Sequence, residues 1–245
     1  MTQTEAVLFD AYGTVLDVGT YHMDITGHVV TRLNQLCGFT IPPEEFRAQW
    51  GEEFESAFLD VIRYCGEFKN MRDLYGITAR RVCHRYGVNV PDPCIEELNA
   101  IFKKKLDEAV NVLPDVKKTL DILCGRGCRL GMVSNGDTEE LSAHLNGVSD
   151  FFDVIVTSEE VGAYKPHGRL FDEAIHKMDI KRNATIFVGD TLTTDVRGAN
   201  KAGLTAIWYN KKERIAKPEI RPDFEIRDMP EVVEIVRLRG HPDHS

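Results

Sequence analysis

The strongest limit on how this chain can fold is a rhythm that starts at Leu113, where short apolar runs begin to alternate with helical patterns. Parallel strands need long crossovers, and crossover helices cover the sheet, so this alternation predicts a parallel sheet with helices on both faces. The expected strands are Arg129 to Ser134, Val154 to Thr157, Thr185 to Gly189, Thr205 to Tyr209, and a weaker one near Phe224 to Ile226. Helical spacing puts Val116, Leu120 and Leu123 on one stripe and Leu170, Ala174 and Ile175 on another. One further apolar run, Ala6-Val7-Leu8-Phe9, stands apart near the N-terminus and reads as the first strand.

Between that strand and the rest lies a stretch of a different kind. Four helical patterns follow one another with no strand between them, punctuated by Pro42-Pro43 and Pro91-Asp92-Pro93. Their stripes are Val29, Leu33 and Leu36; Phe46, Trp50, Phe54, Phe58 and Val61; Leu74, Ile77, Val82 and Tyr86; and Ile95, Leu98, Phe102 and Leu106. The aromatic second stripe reads as the packing seam of a helical unit. The expected architecture is therefore α/β: a Rossmann-like parallel sheet core over residues 1–18 and 111–240, with a helical-bundle cap inserted over residues 19–110. Open α/β sheets bind ligands at the carboxyl ends of their strands, and an insertion after the first strand belongs over that edge.

Composition narrows the functional classes. With 245 residues and 42% hydrophobic content the chain can bury a sizeable core. Its net charge of −9, scattered rather than in blocks, speaks against nucleic acid as a partner, because phosphate backbones need a concentrated basic surface. No apolar run approaches the ~20 residues that span a bilayer, and Met1-Thr2-Gln3-Thr4-Glu5 lacks the basic start of a signal peptide, so a soluble, cytoplasmic protein without a membrane partner is expected. Cys37, Cys65, Cys83, Cys94, Cys124 and Cys128 show no Cys-x-x-Cys spacing and read as buried, reduced thiols. None of the eight histidines shows metal-ligand spacing or pairs with a nucleophile, so all are read as structural or exposed. Lys103-Lys104-Lys105 reads as a solvated helix face, and His241-Pro242-Asp243-His244-Ser245 as a frayed tail. Oligomeric state is left open.

Four short segments sit at or just beyond the ends of expected strands: Asp10-Ala11-Tyr12-Gly13-Thr14, Ser134-Asn135-Gly136, Tyr164-Lys165-Pro166, and Gly189-Asp190 with Asp195 five residues on. In a parallel sheet such loops converge on one edge, which gathers a carboxylate able to act as a nucleophile, a hydroxyl donor, a cation and two further acids. Taken singly, each has an ordinary reading: an Asx-turn at Asp10, a helix start at Ser134, a solvated loop cation at Lys165.

As an ordered set, the segments resemble the haloacid dehalogenase superfamily over nearly the whole chain, with residues 19–110 resembling its helical cap. The resemblance implies that Asp10 forms a covalent aspartyl intermediate that water later cleaves, while Thr14, Ser134 and Asn135 meet substrate oxygens. Lys165 would lower the pKa of Asp10 and neutralise the transferring group. In the superfamily's phosphatases, magnesium is held by the nucleophile, by a backbone carbonyl two residues later and by the first acid of the fourth segment. Here these are Asp10, Tyr12 and Asp190, with Asp195 as an orienting acceptor behind them.

Position 12 departs from that pattern. The phosphatases use a second Asp there as acid and base, and a phenol of pKa ~10 is a poor base near neutrality. Phe9-Asp10-Ala11-Tyr12-Gly13-Thr14 instead resembles the L-2-haloacid dehalogenases, which need no metal, and Arg47 falls where their cap arginine meets the substrate carboxylate or departing halide. Those enzymes replace the first acid of the fourth segment by Ser, carry an added Asn there and have a Tyr six residues after the lysine, whereas this chain has Asp190, Thr191-Leu192 and Phe171. Two neighbouring carboxylates without a cation raise each other's pKa, so keeping both Asp10 and Asp190 argues for a metal. The leading expectation is a magnesium-dependent phosphatase acting on a small anionic metabolite, with Asp10, Lys165 and Tyr12 catalytic. The alternatives are a metal-independent 2-haloacid dehalogenase and a binding protein whose phosphatase site has degenerated.

Overall fold

The computed structural model of the chain describes residues 3–18, 21–38, 40–64 and 67–240, so Cys65 and the tail from His241 lie outside the described residues. The chain divides into two compact units. One runs up to Asp17 and resumes at Asn111, and the other is Val18–Val110.

In chain order, β1 (Ala6–Phe9) and the two-residue β2 (Leu16–Asp17) precede four helices, α1 (Tyr21–Cys37), α2 (Pro43–Tyr64), α3 (Met71–Arg85) and α4 (Asp92–Ala109). After them come β3 (Asn111–Val112), α5 (Val116–Gly125), β4 (Arg129–Ser134), α6 (Thr138–His144), β5 (Val154–Thr157), α7 (Ser158–Val161) and α8 (Gly168–Met178). The chain closes with β6 (Thr185–Gly189), α9 (Arg197–Lys201), β7 (Thr205–Tyr209), β8 (Phe224–Ile226) and α10 (Glu231–Gly240). The five strands expected after Leu113 occur over the same residues.

The main sheet has the order β5-β4-β1-β6-β7-β8, and every neighbouring pair is parallel. β1 lies between β4 and β6, with Phe9 level with Met132 and Val188. All four of its side chains are fully buried, which explains why it reads as a continuous apolar run rather than an alternating one. Ala6 and Leu8 point into a core shared with Leu170, Phe171, Ala174 and Met178 of α8 and with Val196 and Ala199. Val7 and Phe9 point to the other face, where α5 lies against β4 and α10 against α5. A two-stranded antiparallel ribbon, Leu16 opposite Val112 and Asp17 opposite Asn111, ties together the points where the helical unit leaves and rejoins the chain.

Within the helical unit α1 packs on α2 and α4, and α3 packs on the same two. Pro91 precedes α4, whose first turn takes Pro93 without losing an intrahelical bond, and Asn70 caps α3 by accepting from the Asp73 amide. The core includes Val29, Leu33, Phe46, Trp50, Val82, Phe102 and Leu106, and the Trp50 indole donates to Thr78 Oγ1 at 2.7 Å. Phe54 and Phe58 are only half-buried and stack on each other, so the second stripe is a packing seam at its Phe46 end. Lys103 and Lys105 pair with Asp107 and Glu108 along α4.

No helix among the described residues is long and apolar enough to cross a membrane. Cys37, Cys83, Cys94, Cys124 and Cys128 are all unpaired; Cys83 and Cys128 are buried, but Cys124 is exposed. That corrects the expectation of uniformly buried thiols: the stripe Val116, Leu120 and Leu123 faces inward, and Cys124 lies off it. Truncating the central strand should be felt throughout the sheet unit. Leu8→Ala is expected to lower stability by about 3 kcal/mol, seen as a lower urea midpoint at unchanged slope.

Candidate active site

β1 delivers Asp10 to the carboxyl edge of the sheet, where its amide donates to the Val188 carbonyl at 2.9 Å. The following loop folds back on itself, with Val15 N bonding Ala11 O and Gly13 N bonding Leu16 O. Gly13 has φ +92°, and a Cβ there would lie 2.9 Å from the Asp190 carboxyl carbon. Only glycine brings the first loop this close to the fourth.

Lys165 enters from the connection between α7 and α8 and is 1% exposed. Its ammonium donates to Asp10 Oδ1 at 2.6 Å and to the Val133 carbonyl at 2.9 Å, and lies 2.8 Å from Asp195 Oδ1. Asn135 fixes its backbone, accepting from Lys165 N at 2.7 Å and donating to Lys165 O at 3.2 Å. The amide expected to meet substrate is thus committed to positioning the lysine. Thr14 Oγ1 donates to Asp10 Oδ2 at 3.3 Å. Ser134 Oγ is buried and has no hydrogen-bond partner among the described residues. A buried hydroxyl in that state is an unfilled donor.

The fourth segment brings in two more acids. Asp195 sits in a π-helical turn, Leu192–Val196, and its Oδ2 accepts from the Thr191 amide at 2.9 Å. Gly189 makes room for it, because a Cβ there would lie 2.5 Å from that of Asp195. Asp190 Oδ1 accepts from Thr191 Oγ1 at 2.9 Å, Asp190 Oδ2 pairs with Arg214 at 3.0 Å, and its carbonyl takes the Trp208 indole N–H at 3.0 Å. Ligand oxygens of Asp10, Asp190 and Asp195 all fall within 4.8 Å of one another. Three carboxylates so close suit a hard divalent cation held by oxygen.

The electrostatics follow from burial. The Asp10 carboxyl is pushed up to about 7, chiefly by burial and further by Asp195 and Asp190, with Lys165 pulling the other way. For Lys165, burial works against the charged form, but Asp10 and Asp195 outweigh it and hold the ammonium above its ordinary value. Asp190 is raised by burial and by Asp195, with Thr191 and Arg214 acting the other way.

Tyr12 does not stand alone. Its hydroxyl bonds His144 Nδ1 at 2.9 Å, the two rings meet edge to face at 5.8 Å, and a Cβ on Gly136 would lie 3.3 Å from the Tyr12 ring. His144 ends α6, far from Tyr12 in sequence, so no local motif marked it. Phe171 is fully buried against Phe187 and belongs to the core. Arg47 lies half-buried in α2, in the other compact unit.

The fold is therefore α/β, a parallel sheet whose carboxyl edge gathers a buried lysine between aspartates. The chain belongs to the haloacid dehalogenase-like hydrolase family, whose sequence profile matches residues 4–203. It is 41% identical over 101 residues to a glyceraldehyde 3-phosphate phosphatase of Methanothermobacter thermautotrophicus, covering 40% of this chain and 45% of the relative. It is 26% identical over 241 residues to a ribulose-1,5-bisphosphate 5-phosphatase of Halopiger xanaduensis, covering 94% and 98% of the two chains. Among solved structures, a 2-haloacid dehalogenase of Pseudomonas syringae superposes with a TM-score of 0.73 at 24% identity, over 98% of this chain and all of the other. The chain spans about half the length of the glyceraldehyde 3-phosphate phosphatases it matches, whereas two dehalogenases are matched over nearly their whole length at 25–26% identity.

The raised pKa of Asp10 has a stability signature. A carboxyl whose folded value lies above its unfolded value of 3.8 contributes stability at low pH that is lost as pH rises through about 7. In the presence of a chelator, Asp10→Asn should therefore gain on the wild type by about 2 kcal/mol between pH 5 and pH 8. Parallel denaturation curves for the two proteins across that range would contradict the shift.

Proposed function

We propose that this protein is a magnesium-dependent phosphomonoester hydrolase acting on a small phosphorylated metabolite, with Asp10 as nucleophile. The observation that carries the reading is the retention of Asp190 within reach of Asp10 and Asp195, a concentration of negative charge that a divalent cation balances. The phosphatases among the curated relatives support the same reaction class.

Asp10, the Tyr12 carbonyl and Asp190 would hold the ion, while Asp195, engaged by Lys165 and the Thr191 amide, orients its neighbours. When bound, magnesium supplies positive charge that relieves the repulsion between Asp10 and an anionic phosphoryl group. An Asp10 oxygen attacks phosphorus, the bond from phosphorus to the leaving oxygen breaks, and water later cleaves the aspartyl phosphate. Thr14 and Ser134 donate to phosphoryl oxygens, and Lys165 compensates the transferring charge. Asn135 serves by holding Lys165. Residues 19–110 act as the cap that selects the substrate and excludes water.

The Tyr12 and His144 pair takes the place of the missing acid. A phenol alone exchanges protons poorly at neutrality, and the imidazole hydrogen-bonded to it gives it a partner for proton exchange. Tyr12→Phe and His144→Gln should each lower kcat by about 10- to 100-fold, and the double variant should lose little more than the worse single one. Additive losses would separate the two residues.

A second reading, a metal-independent 2-haloacid dehalogenase, rests on Tyr12 within the Asp10–Thr14 loop. There Arg47 would receive the substrate carboxylate or the departing halide. Phosphate release from a phosphomonoester panel with magnesium, abolished by chelator and reduced about 10³-fold or more by Asp10→Asn, is the expected result. Chloride release from 2-chloropropionate that survives chelation would replace it with the second reading. Phosphate binding without turnover of either substrate would leave a binding protein.

A further inference from the structure

Asp190 is partnered differently from the other two acids. Asp10 and Asp195 meet a lysine that is 1% exposed, whereas Asp190 Oδ2 meets Arg214, whose side chain is 44% exposed. The guanidinium arrives from a loop beyond β7 whose backbone is held firmly. Asn210, 3% exposed, donates through Nδ2 to the Arg214 carbonyl at 2.9 Å and to Glu225 at 2.7 Å, and its Oδ1 accepts from the Arg214 amide at 2.8 Å. Asp190 is held as well, through its carbonyl to Trp208 and through Oδ1 to Thr191. Both backbones are pinned; the partner of Oδ2 is an exposed side chain.

We propose that Arg214 is the resident cation of the Asp190 carboxylate. It neutralises Oδ2 before a divalent ion binds, gives way to that ion, and then pairs with a negatively charged oxygen of the substrate. The inference rests on reading Asp190 as a metal ligand. A divalent cation and a guanidinium compete for one carboxylate oxygen, and their like charges repel at close range. Because Asn210 anchors the Arg214 backbone, only the side chain moves, so the displaced head stays beside the site. A guanidinium there suits an anion with paired oxygens, since its fork donates two parallel bonds.

The test is calorimetry on the full chain, with no turnover required. Arg214→Gln removes the competing charge, so magnesium should bind about tenfold more tightly than to the wild type. Inorganic phosphate titrated into the magnesium-saturated variant should bind about tenfold more weakly. Arg214→Lys keeps a cation without the fork and should fall between the two in both titrations, and an unchanged melting temperature checks that the variants are folded. Magnesium affinity that is equal or weaker in Arg214→Gln overturns the competition and leaves an ordinary ion pair. Unchanged phosphate affinity overturns the transfer to substrate. A wild-type protein that takes up no magnesium overturns the metal reading beneath the proposal as well, and that failure is told apart because the wild type itself is silent.

Discussion

The ammonium of Lys165 is the interaction on which the rest of the site depends. Burying an isolated charge costs several kcal/mol even after relaxation, so it persists only where every donor is matched. Here the ammonium donates to Asp10 Oδ1 and the Val133 carbonyl, forms an ion pair with Asp195 Oδ1 at 2.8 Å, and has the Phe187 ring 5.3 Å away. These partners come from the loop after β1, the turn after β6 and the end of β4, while Lys165 belongs to the connection before α8 and is itself tied to Asn135 beyond β4. One cation therefore locks together loops that the sheet merely places side by side. Removing it would leave two buried carboxylates facing each other, and they would be forced to take up protons.

This arrangement divides the site into a fixed half and an exchangeable half. Around Lys165 the groups are buried and paired by charge, which holds the Asp10 carboxylate in one place. Around Asp190 the counter-charge is an exposed arginine, while Ser134 Oγ lacks a partner among the described residues. Preorganised charge is valuable where a transition state develops it, and unfilled donors are valuable where a ligand must enter. The chain carries a net charge of −9, so the anionic substrate proposed for it would be drawn in by these local cations and not by the molecule's overall field.

Much of this was legible in the sequence because it is local or periodic. The parallel strands are buried on both faces and read as apolar runs, and four helical stripes with proline breaks read as a helical unit. Gly189-Asp190 and Lys165 were visible as strand-end punctuation. What stayed hidden depends on distant contacts. Asn135 looks like a ligand-facing amide until Lys165 is seen to occupy it. Arg214 lies in an exposed basic loop whose tether, Asn210, is an ordinary residue at a strand end. Cys124 is exposed although its neighbour Leu123 is buried, a difference of one helical step.

Tyr12 is the sharpest case, because from sequence it looks like an acid lost. The structure gives the phenol a place of its own: its ring lies 3.3 Å from where a Cβ on Gly136 would stand, and its hydroxyl meets His144 at the end of α6. A decayed site would retain the geometry of the lost carboxylate and leave the new ring poorly accommodated. Here the ring and hydroxyl of Tyr12 are accommodated by Gly136 and His144, both beyond β4. Under the proposed function the phenol has a hydrogen-bonded partner in place of a lost acid, and the proposed preference for phosphoryl over halide substrates rests on Asp190 rather than on Tyr12.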